Sequence, residues 1–237
     1  MIGPSALRAR RVAIGLLLVY GFELSQAIWG QPGTAFRALS GYVVDERFSA
    51  LRREPRPNGR LIARLRVGRF IAVLSERRQA DGATYYRVAT TRRTRGWLHE
   101  RAFVMPARRG DDRRLWELIE RAEGFDRLHL ARILVVHFER SPLRPRALLI
   151  LAEEAERAAE ELTARLRRRV GDSETATLRR QLFLNDVSLD RYNRLGITFL
   201  YDENEDRLRY DGWAYREVLA RYPQSAEAAV ARERLRP

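Results

Sequence analysis

The sequence predicts an α+β fold in which a small β-barrel or β-sandwich is followed by an all-α domain. Short β-type runs at close spacing fill residues 42–104, and a helical period of apolar residues begins after Pro106. Apolar residues make up 45% of the 237-residue chain and charged residues 32%, which is the composition of a folded protein. We therefore divide the chain into an N-terminal segment (1–27), a linker (28–41), a barrel (42–105) and a helical domain (111–237).

The N-terminal segment has the pattern of a secretory signal peptide. Three arginines (Arg8, Arg10 and Arg11) precede the uncharged stretch 12–22, and Ser25-Gln26-Ala27 offers small residues at the positions that signal peptidase accepts. The uncharged stretch is shorter than the roughly 20 residues that a membrane-spanning helix needs. We expect cleavage after Ala27 and export to the periplasm or the extracellular space. An N-terminal membrane anchor is the alternative, because Glu23 lies in the cleavage region.

The predicted barrel is built from short runs rich in β-branched and aromatic residues. These runs are Tyr42–Val44, Leu61–Leu65, Phe70–Leu74, Tyr85–Val88 and Gly96–Leu98, with a turn signal at Asp81-Gly82. Pro106 to Gly110 then forms a basic linker. Helices are predicted near residues 111–122, 128–138, 145–170, 178–184, 189–195, 215–222 and 226–235, with an extended excursion or hairpin over 197–210.

The barrel segment resembles a bacterial SH3 domain of the SH3b type. The residues that carry the resemblance are Ala50-Leu51-Arg52-Arg53, Gly68, Tyr85-Tyr86-Arg87-Val88, Gly96-Trp97-Leu98-His99 and Phe103-Val104. The resemblance covers about a quarter of the chain. It implies a small barrel that holds an extended peptide, since SH3-like barrels grip such peptides with exposed aromatic side chains.

The helical segment resembles the TPR-like repeats of exported bacterial proteins. Its ending places Tyr215, Val218, Leu219 and Tyr222 on one helix face before Pro223 and a last helix. Internal similarity supports a repeat, because the series Val135, Phe138, Ser141 matches the series Leu219, Tyr222, Ser225 at the same spacing. The resemblance implies a surface that binds a protein or packs against the barrel.

The ligand-binding residues that we predict are Tyr85, Tyr86, Arg87 and Trp97. On a strand, Tyr85 and Tyr86 must point to opposite faces, so one of them is expected outside the core. That tyrosine and Trp97 would form a shallow aromatic patch, and Arg87 would attract an acidic ligand. Packing of these aromatics in the core is the alternative interpretation. The expected ligand is a protein or a peptide of peptidoglycan.

The composition bears on several other classes of function. The net charge is +14 and every basic side chain is arginine, but the arginines are spread along the chain and often lie beside Asp or Glu, so no nucleic-acid partner is expected. The absence of cysteine excludes disulfides, thiolate metal sites and cysteine nucleophiles. A membrane contact is expected only through an uncleaved N-terminal segment.

Catalytic, metal and cofactor signatures are missing from the sequence. It contains no HExxH, GxSxG, GxGxxG or phosphate-binding loop motif. The run Asp202-Glu203-Asn204-Glu205-Asp206 begins like an EF-hand loop, but Arg207 stands where glycine is needed and Trp213 stands where a bidentate Glu is needed. We therefore predict no catalytic residue, no metal and no cofactor. His129 and His137 lie eight residues apart on one predicted helix, too far for a shared metal.

These observations favour a non-enzymatic exported binding or scaffold protein of the bacterial cell envelope. Two alternatives remain open at this point. The chain could be a targeting or accessory subunit for a cell-wall hydrolase, or an enzyme with a site that its motifs do not reveal.

Overall fold

Seven short strands form one antiparallel sheet in a computed structural model, which describes residues 39–170 and 175–236. The predicted signal peptide and the linker up to residue 38 lie outside the described residues. The strands are β1 (Leu39–Val43), β2 (Ala50–Arg52), β3 (Leu61–Arg64), β4 (Phe70–Ala80), β5 (Ala83–Ala89), β6 (Arg95–His99) and β7 (Phe103–Val104). Their order across the sheet is β3-β2-β6-β5-β4-β1-β7, and the sheet curls into a half-barrel.

The curled sheet encloses an apolar core, because alternate residues of each strand point to its inner face. The core consists of Val43, Leu51, Leu65, Ile71, Val73, Val88, Leu98, Ala102, Phe103 and Met105. Gly41 lies against this core without a side chain. A Cβ added there would lie 2.9 Å from Cγ2 of Val73 and 3.2 Å from Cδ2 of Phe103, so the strand can approach this closely only with glycine.

The predicted strands overlap β1, β3, β4, β5 and β6. The predicted and observed ends differ most for β4. We predicted that this strand ends at Leu74, but it continues to Ala80 because it pairs with β5 in a hairpin. Asp81 and Gly82 form the turn with positive φ angles of 50° and 71°. Such a pair of left-handed residues matches the twist of a two-residue hairpin loop.

Helices follow the sheet and account for most of the remaining chain. They are α1 (Asp111–Arg121), α2 (Gly124–His137), α3 (Arg144–Val170), α4 (Ala176–Leu184), α5 (Asp190–Asn193), α6 (Trp213–Arg221) and α7 (Ala226–Arg234). A two-stranded hairpin of β8 (Phe199–Asp202) and β9 (Arg207–Tyr210) lies among them. The α+β class is therefore confirmed, but the second part is not all-α, because alternating aromatic and polar residues at 199–210 form strands.

The long helix α3 is the centre of the helical core. Its buried stripe has helical spacing and consists of Ala147, Leu148, Leu151, Ala152, Ala155, Ala159, Leu162 and Leu166. Thr163 on the same helix holds the hairpin: its hydroxyl donates to the carbonyl of Ala159 (2.7 Å) and accepts from the amide of Leu208 (2.9 Å). A buried hydroxyl and a buried strand amide thereby satisfy each other.

The two matching series in the sequence, 135–141 and 219–225, lie in two helix–turn–helix units. In the first, α2 leads through Ser141 to α3, and in the second, α6 leads through Ser225 to α7. Ser225 caps α7, since its hydroxyl accepts from the amide of Ala228 (3.3 Å). Arg144 connects the two units, because it donates to the hydroxyl of Tyr222 (2.9 Å) and to the carboxylate of Glu217 (3.1 Å).

Apolar and polar contacts join the sheet to the helices within one compact unit. Val44 and Val104 belong to the helical core rather than to the core of the sheet. Asp111 lies within the first turn of α1 and is buried. Its Oδ2 accepts from the amide of Met105 (2.6 Å) and from Nε of Arg108 (2.9 Å), so this carboxylate ties the linker to the helix.

Candidate ligand-binding face

Strand alternation divides the four predicted ligand-binding residues between two faces of the sheet. Tyr85 pairs with His99, and Arg87 pairs with Trp97, so these residues share the outer face of β5 and β6. Tyr86 lies one position along and packs against the inner core, with its ring 5.6 Å from that of Phe103. The structure therefore brings Tyr85, Arg87 and Trp97 together and places Tyr86 on the opposite side. We name the shared surface the β5–β6 face.

Trp97 lies between two arginines on the β5–β6 face. The guanidinium carbon of Arg87 lies 5.6 Å from the centre of the indole ring, at cation–π distance. Arg52 on the neighbouring strand β2 pairs with Trp97, and its Nη1 donates to the carbonyl of Gly59 (2.7 Å). Trp97 is only 8% exposed, so the indole supports the arginines and contributes little open surface of its own.

Tyr85 is buried beside His99 of the same face. Its ring meets that of His99 edge-on at 5.4 Å, and His99 stacks on Phe48 at 4.8 Å. Burial raises the pKa of the Tyr85 phenol and lowers the pKa of the His99 imidazole. Tyr85 is 4% exposed, which differs from the open aromatic patch that we predicted. The aromatic side chains cannot grip a peptide directly unless the groups that cover them move.

Exposed arginines complete the chemistry of the β5–β6 face. Arg78 pairs with Tyr85 across β4 and β5, and Arg95 lies on β6 at the same parity as Trp97. Both side chains are exposed, whereas Arg52 and Arg87 are half-buried. Guanidinium groups donate in a planar fork that matches the two oxygens of a carboxylate. The face can therefore bind anionic groups. The indole of Trp97 limits the orientation of the Arg87 guanidinium, and the carbonyl of Gly59 limits that of Arg52.

Two serines, one histidine and one aspartate are among the residues that line a cavity elsewhere in the molecule. Ser141, His137 and Asp112 lie around a cavity of about 590 Å³ next to the linker. The hydroxyl of Ser141 donates to Oδ2 of Asp112 (2.7 Å) and accepts from the amide of Leu143 (3.2 Å), while His137 stacks on Tyr42. These contacts are those of a turn at the start of a helix, and they give the serine a carboxylate partner in place of a histidine base.

The acidic turn that begins like an EF-hand is the loop of the β8–β9 hairpin. Oδ1 of Asp202 accepts from the amides of Asn204 (3.1 Å) and Glu205 (3.3 Å), and its other oxygen pairs with Arg209 (2.9 Å). Asp202 is thus committed to its own loop. Within the described ranges, no group of three or more His, Asp or Glu side chains is arranged to hold a metal ion.

A second basic surface lies where the sheet meets the helices, and no pattern in the sequence predicted it. We name it the seam cleft, a groove of about 970 Å³. Five arginines line it (Arg47, Arg66, Arg121, Arg191 and Arg194). They come from separate parts of the chain, so neither a motif nor a local charge run marks the cleft in the sequence. Only a set of long-range contacts would have revealed it.

None of the helices in the described part of the chain has the length and apolar character required to span a bilayer.

Comparisons with protein-family models, with curated proteins and with solved structures found no match to this chain.

Proposed function

We propose that this chain is a non-enzymatic, exported binding or scaffold protein of the bacterial cell envelope. In this proposal the curled sheet is an SH3b-like barrel that contacts a peptide or cell-wall ligand, and the helices are a TPR-like region. The order of strands and helices along the chain supports this assignment, as do the two helix–turn–helix units joined by Arg144.

The observation that carries the proposal is the arrangement of Arg87 and Arg52 around Trp97 on the β5–β6 face. The cation–π contact of Arg87 with Trp97 is worth about 0.5–1 kcal/mol and limits the orientations of that guanidinium group. Arg52 is held by its hydrogen bond to the carbonyl of Gly59 (2.7 Å). Arginines that are already oriented lose less side-chain entropy when they bind a carboxylate. The stem peptides of a cell wall carry free carboxylates, so this face has complementary chemistry for them. The ligand meets the guanidinium groups first, since Trp97 lies beneath them.

Sedimentation with purified, insoluble peptidoglycan tests this function. We expect the wild-type chain to pellet with the polymer, and we expect Arg87→Gln to reduce the pelleted fraction. Arg168→Gln is the matched control, because Arg168 is exposed on α3, far along the chain from the sheet, and its loss changes the net charge equally. Circular dichroism establishes that all three proteins are folded.

Two outcomes would overturn the proposal. If the wild type stays in the supernatant, or if both variants pellet equally well, the β5–β6 face does not bind the wall. If the wild type releases soluble muropeptides from the polymer, the chain is an enzyme.

A further inference from the structure

The seam cleft is lined by residues of the curled sheet's loops and of the helices, and none of them belongs to the β5–β6 face. Arg47 follows β1, Arg66 lies between β3 and β4, Arg121 ends α1, and Arg191 and Arg194 lie in or next to α5. All five side chains are exposed. Folding thus places arginines from four regions of the chain around one groove.

The floor of the seam cleft is apolar. It is formed by Val44, Val67, Leu118, Ala122, Phe125, Leu130 and Leu195. Val44 and Leu130 are buried residues of the helical core, and the others pack against or beside it. With a volume of about 970 Å³, the groove is at the upper end of the range for sites that hold small ligands or short peptide segments.

The three acidic residues of the cleft neutralise only part of the positive charge of its five arginines. Asp45 forms an ion pair with Arg47 (2.8 Å). Burial alone would raise the pKa of the Asp45 carboxyl, but the hydrogen bonds from Arg47 hold that pKa below its usual value. Oε1 of Glu46 accepts from the amide of Val67 (3.1 Å). Asp126 is the remaining carboxylate of the lining, and it is exposed.

Three of the cleft arginines have no side-chain acceptor in the part of the chain that the structure describes. Arg66, Arg121 and Arg194 make no side-chain hydrogen bond or ion pair with any residue in the described ranges. Other arginines near this seam are bound, as Arg47 is to Asp45 and Arg114 is to the carbonyl of Glu100 (3.0 Å). The guanidinium groups of Arg66, Arg121 and Arg194 are therefore available to an anionic ligand without the loss of an existing contact.

Arg191 is held in a fixed orientation at the same groove. Its guanidinium carbon lies 4.6 Å from the ring centre of Phe125 and 4.8 Å from that of Tyr192, and its Nη2 donates to the hydroxyl of Tyr192 (2.9 Å). Stacking leaves the other donors of the fork available in the ring plane. This arrangement pre-orients one anion-binding group over the apolar floor.

We propose that the seam cleft binds an acidic peptide segment, with carboxylates on the arginine rim and an apolar side chain on the floor. The rim provides Arg66, Arg121, Arg191 and Arg194, and arginine binds carboxylates in a bidentate manner. The apolar floor favours a peptide that carries both acidic and apolar side chains over a purely ionic ligand such as inorganic phosphate. The inference does not rest on the function proposed for the β5–β6 face.

Fluorescence anisotropy with a short labelled peptide of alternating Glu and Leu residues tests this site in the purified chain. We expect saturable binding by the wild type and a loss of affinity of about tenfold or more in the double variant Arg66→Gln/Arg121→Gln, which removes two charge-assisted contacts. Asp126→Asn should bind more tightly than the wild type, because it removes a negative charge from the cleft. The matched control is Arg113→Gln/Arg168→Gln, which removes the same charge from exposed positions outside the cleft lining and should leave the affinity unchanged.

Four results would overturn the proposal. The acidic peptide fails to bind the wild type, or it binds the Arg66→Gln/Arg121→Gln variant as tightly as the wild type. A peptide with Gln in place of Glu binds equally well, which would make the site apolar. Inorganic phosphate alone, or a single-stranded oligonucleotide, binds in the cleft more tightly than the peptide and loses that binding in the same double variant. Because these variants leave the β5–β6 face intact, failure here is distinguishable from failure in the peptidoglycan assay.

Discussion

Tyr42 and His137 stack face to face, with ring centres 3.6 Å apart and planes inclined by 13°. Tyr42 lies on β1 and His137 ends α2, so the pair joins the outer face of the sheet to the helices. His129, two turns earlier on α2, approaches the sheet at Gly68, where an added Cβ would lie 2.5 Å from its Nε2. Two histidines on one helix thus form part of the seam between the two halves of the fold.

Stability should fall as the pH drops below neutrality. Burial lowers the pKa of His129 and of His137 below the ordinary value of 6.5, so the unfolded chain binds protons that the folded chain does not. The stabilisation from the neutral histidines is fully present above about pH 6.5. It is lost as the pH falls from 6.5 toward the lower pKa values of the two histidines in the folded state. Urea denaturation at about pH 7.5 and about pH 5.5 measures the effect.

The double variant His129→Gln/His137→Gln should show a smaller difference between the two pH values than the wild type. Some dependence of stability on pH should remain in this variant, because burial also lowers the pKa of His99. If the variant loses as much stability on acidification as the wild type, the two histidines of α2 do not cause it.

The linker between sheet and helices should resist trypsin while Asp111 anchors it. Arg108 is half-buried, bonded to Asp111 and placed 5.9 Å from the ring centre of Tyr86, whereas Arg109 is exposed. Cleavage needs a segment that can leave its surface. We expect Asp111→Asn to accelerate cleavage after Arg109, as followed by mass spectrometry of the fragments.

Asp190→Asn is the control for the linker experiment, because Asp190 is exposed on α5. Rapid cleavage of the wild type at Arg109 would show that the linker is open without the substitution.

Leu151 should be among the most costly core residues to truncate. It is fully buried on α3, and replacing a buried leucine by alanine costs about 2–5 kcal/mol through lost apolar contact and the cavity that remains. Chemical denaturation measures the free energy of unfolding. Leu200→Ala on β8 is the control, since Leu200 is 56% exposed and should lose less than about 0.5 kcal/mol. Similar losses at both sites would contradict the packing of α3.

Arg144 should contribute more to stability than Arg221, although both pair with Glu217. Arg144 is 7% exposed and also donates to the carbonyl of Val135 (2.9 Å). Arg144→Gln leaves buried acceptors unpaired and should cost about 2–4 kcal/mol. Arg221 forms a surface pair (3.0 Å), so Arg221→Gln should cost less than about 1 kcal/mol. Equal effects in denaturation experiments would mean that the two helix–turn–helix units are not held together by Arg144.

Export remains a prediction from residues that lie outside the described ranges. Expression of the full sequence in a Gram-negative host, followed by intact-mass analysis, should give a mature protein that begins at Ile28. A full-length product in the membrane fraction would instead support the N-terminal anchor.

The sequence by itself determined the local structure of this protein. Short runs rich in β-branched and aromatic residues marked strands such as β5, a 3.6-residue period marked α3, and the Asp81-Gly82 pair marked the β4–β5 turn. These features depend on neighbours a few residues apart, so they can be read directly. The opposite orientation of Tyr85 and Tyr86 followed from the same rule, and the structure agrees with it.

Only the tertiary structure decided which surfaces are open and which charges remain unpaired. Strand alternation placed Tyr85 and Trp97 on the outer face, but His99 and Arg87 come to lie beside them only when β5 and β6 pair. The contact of Arg144 with Glu217 and the arginine rim of the seam cleft join residues far apart in the chain. Such contacts form when separate elements pack around a shared core, and no local period of the sequence encodes which elements will meet.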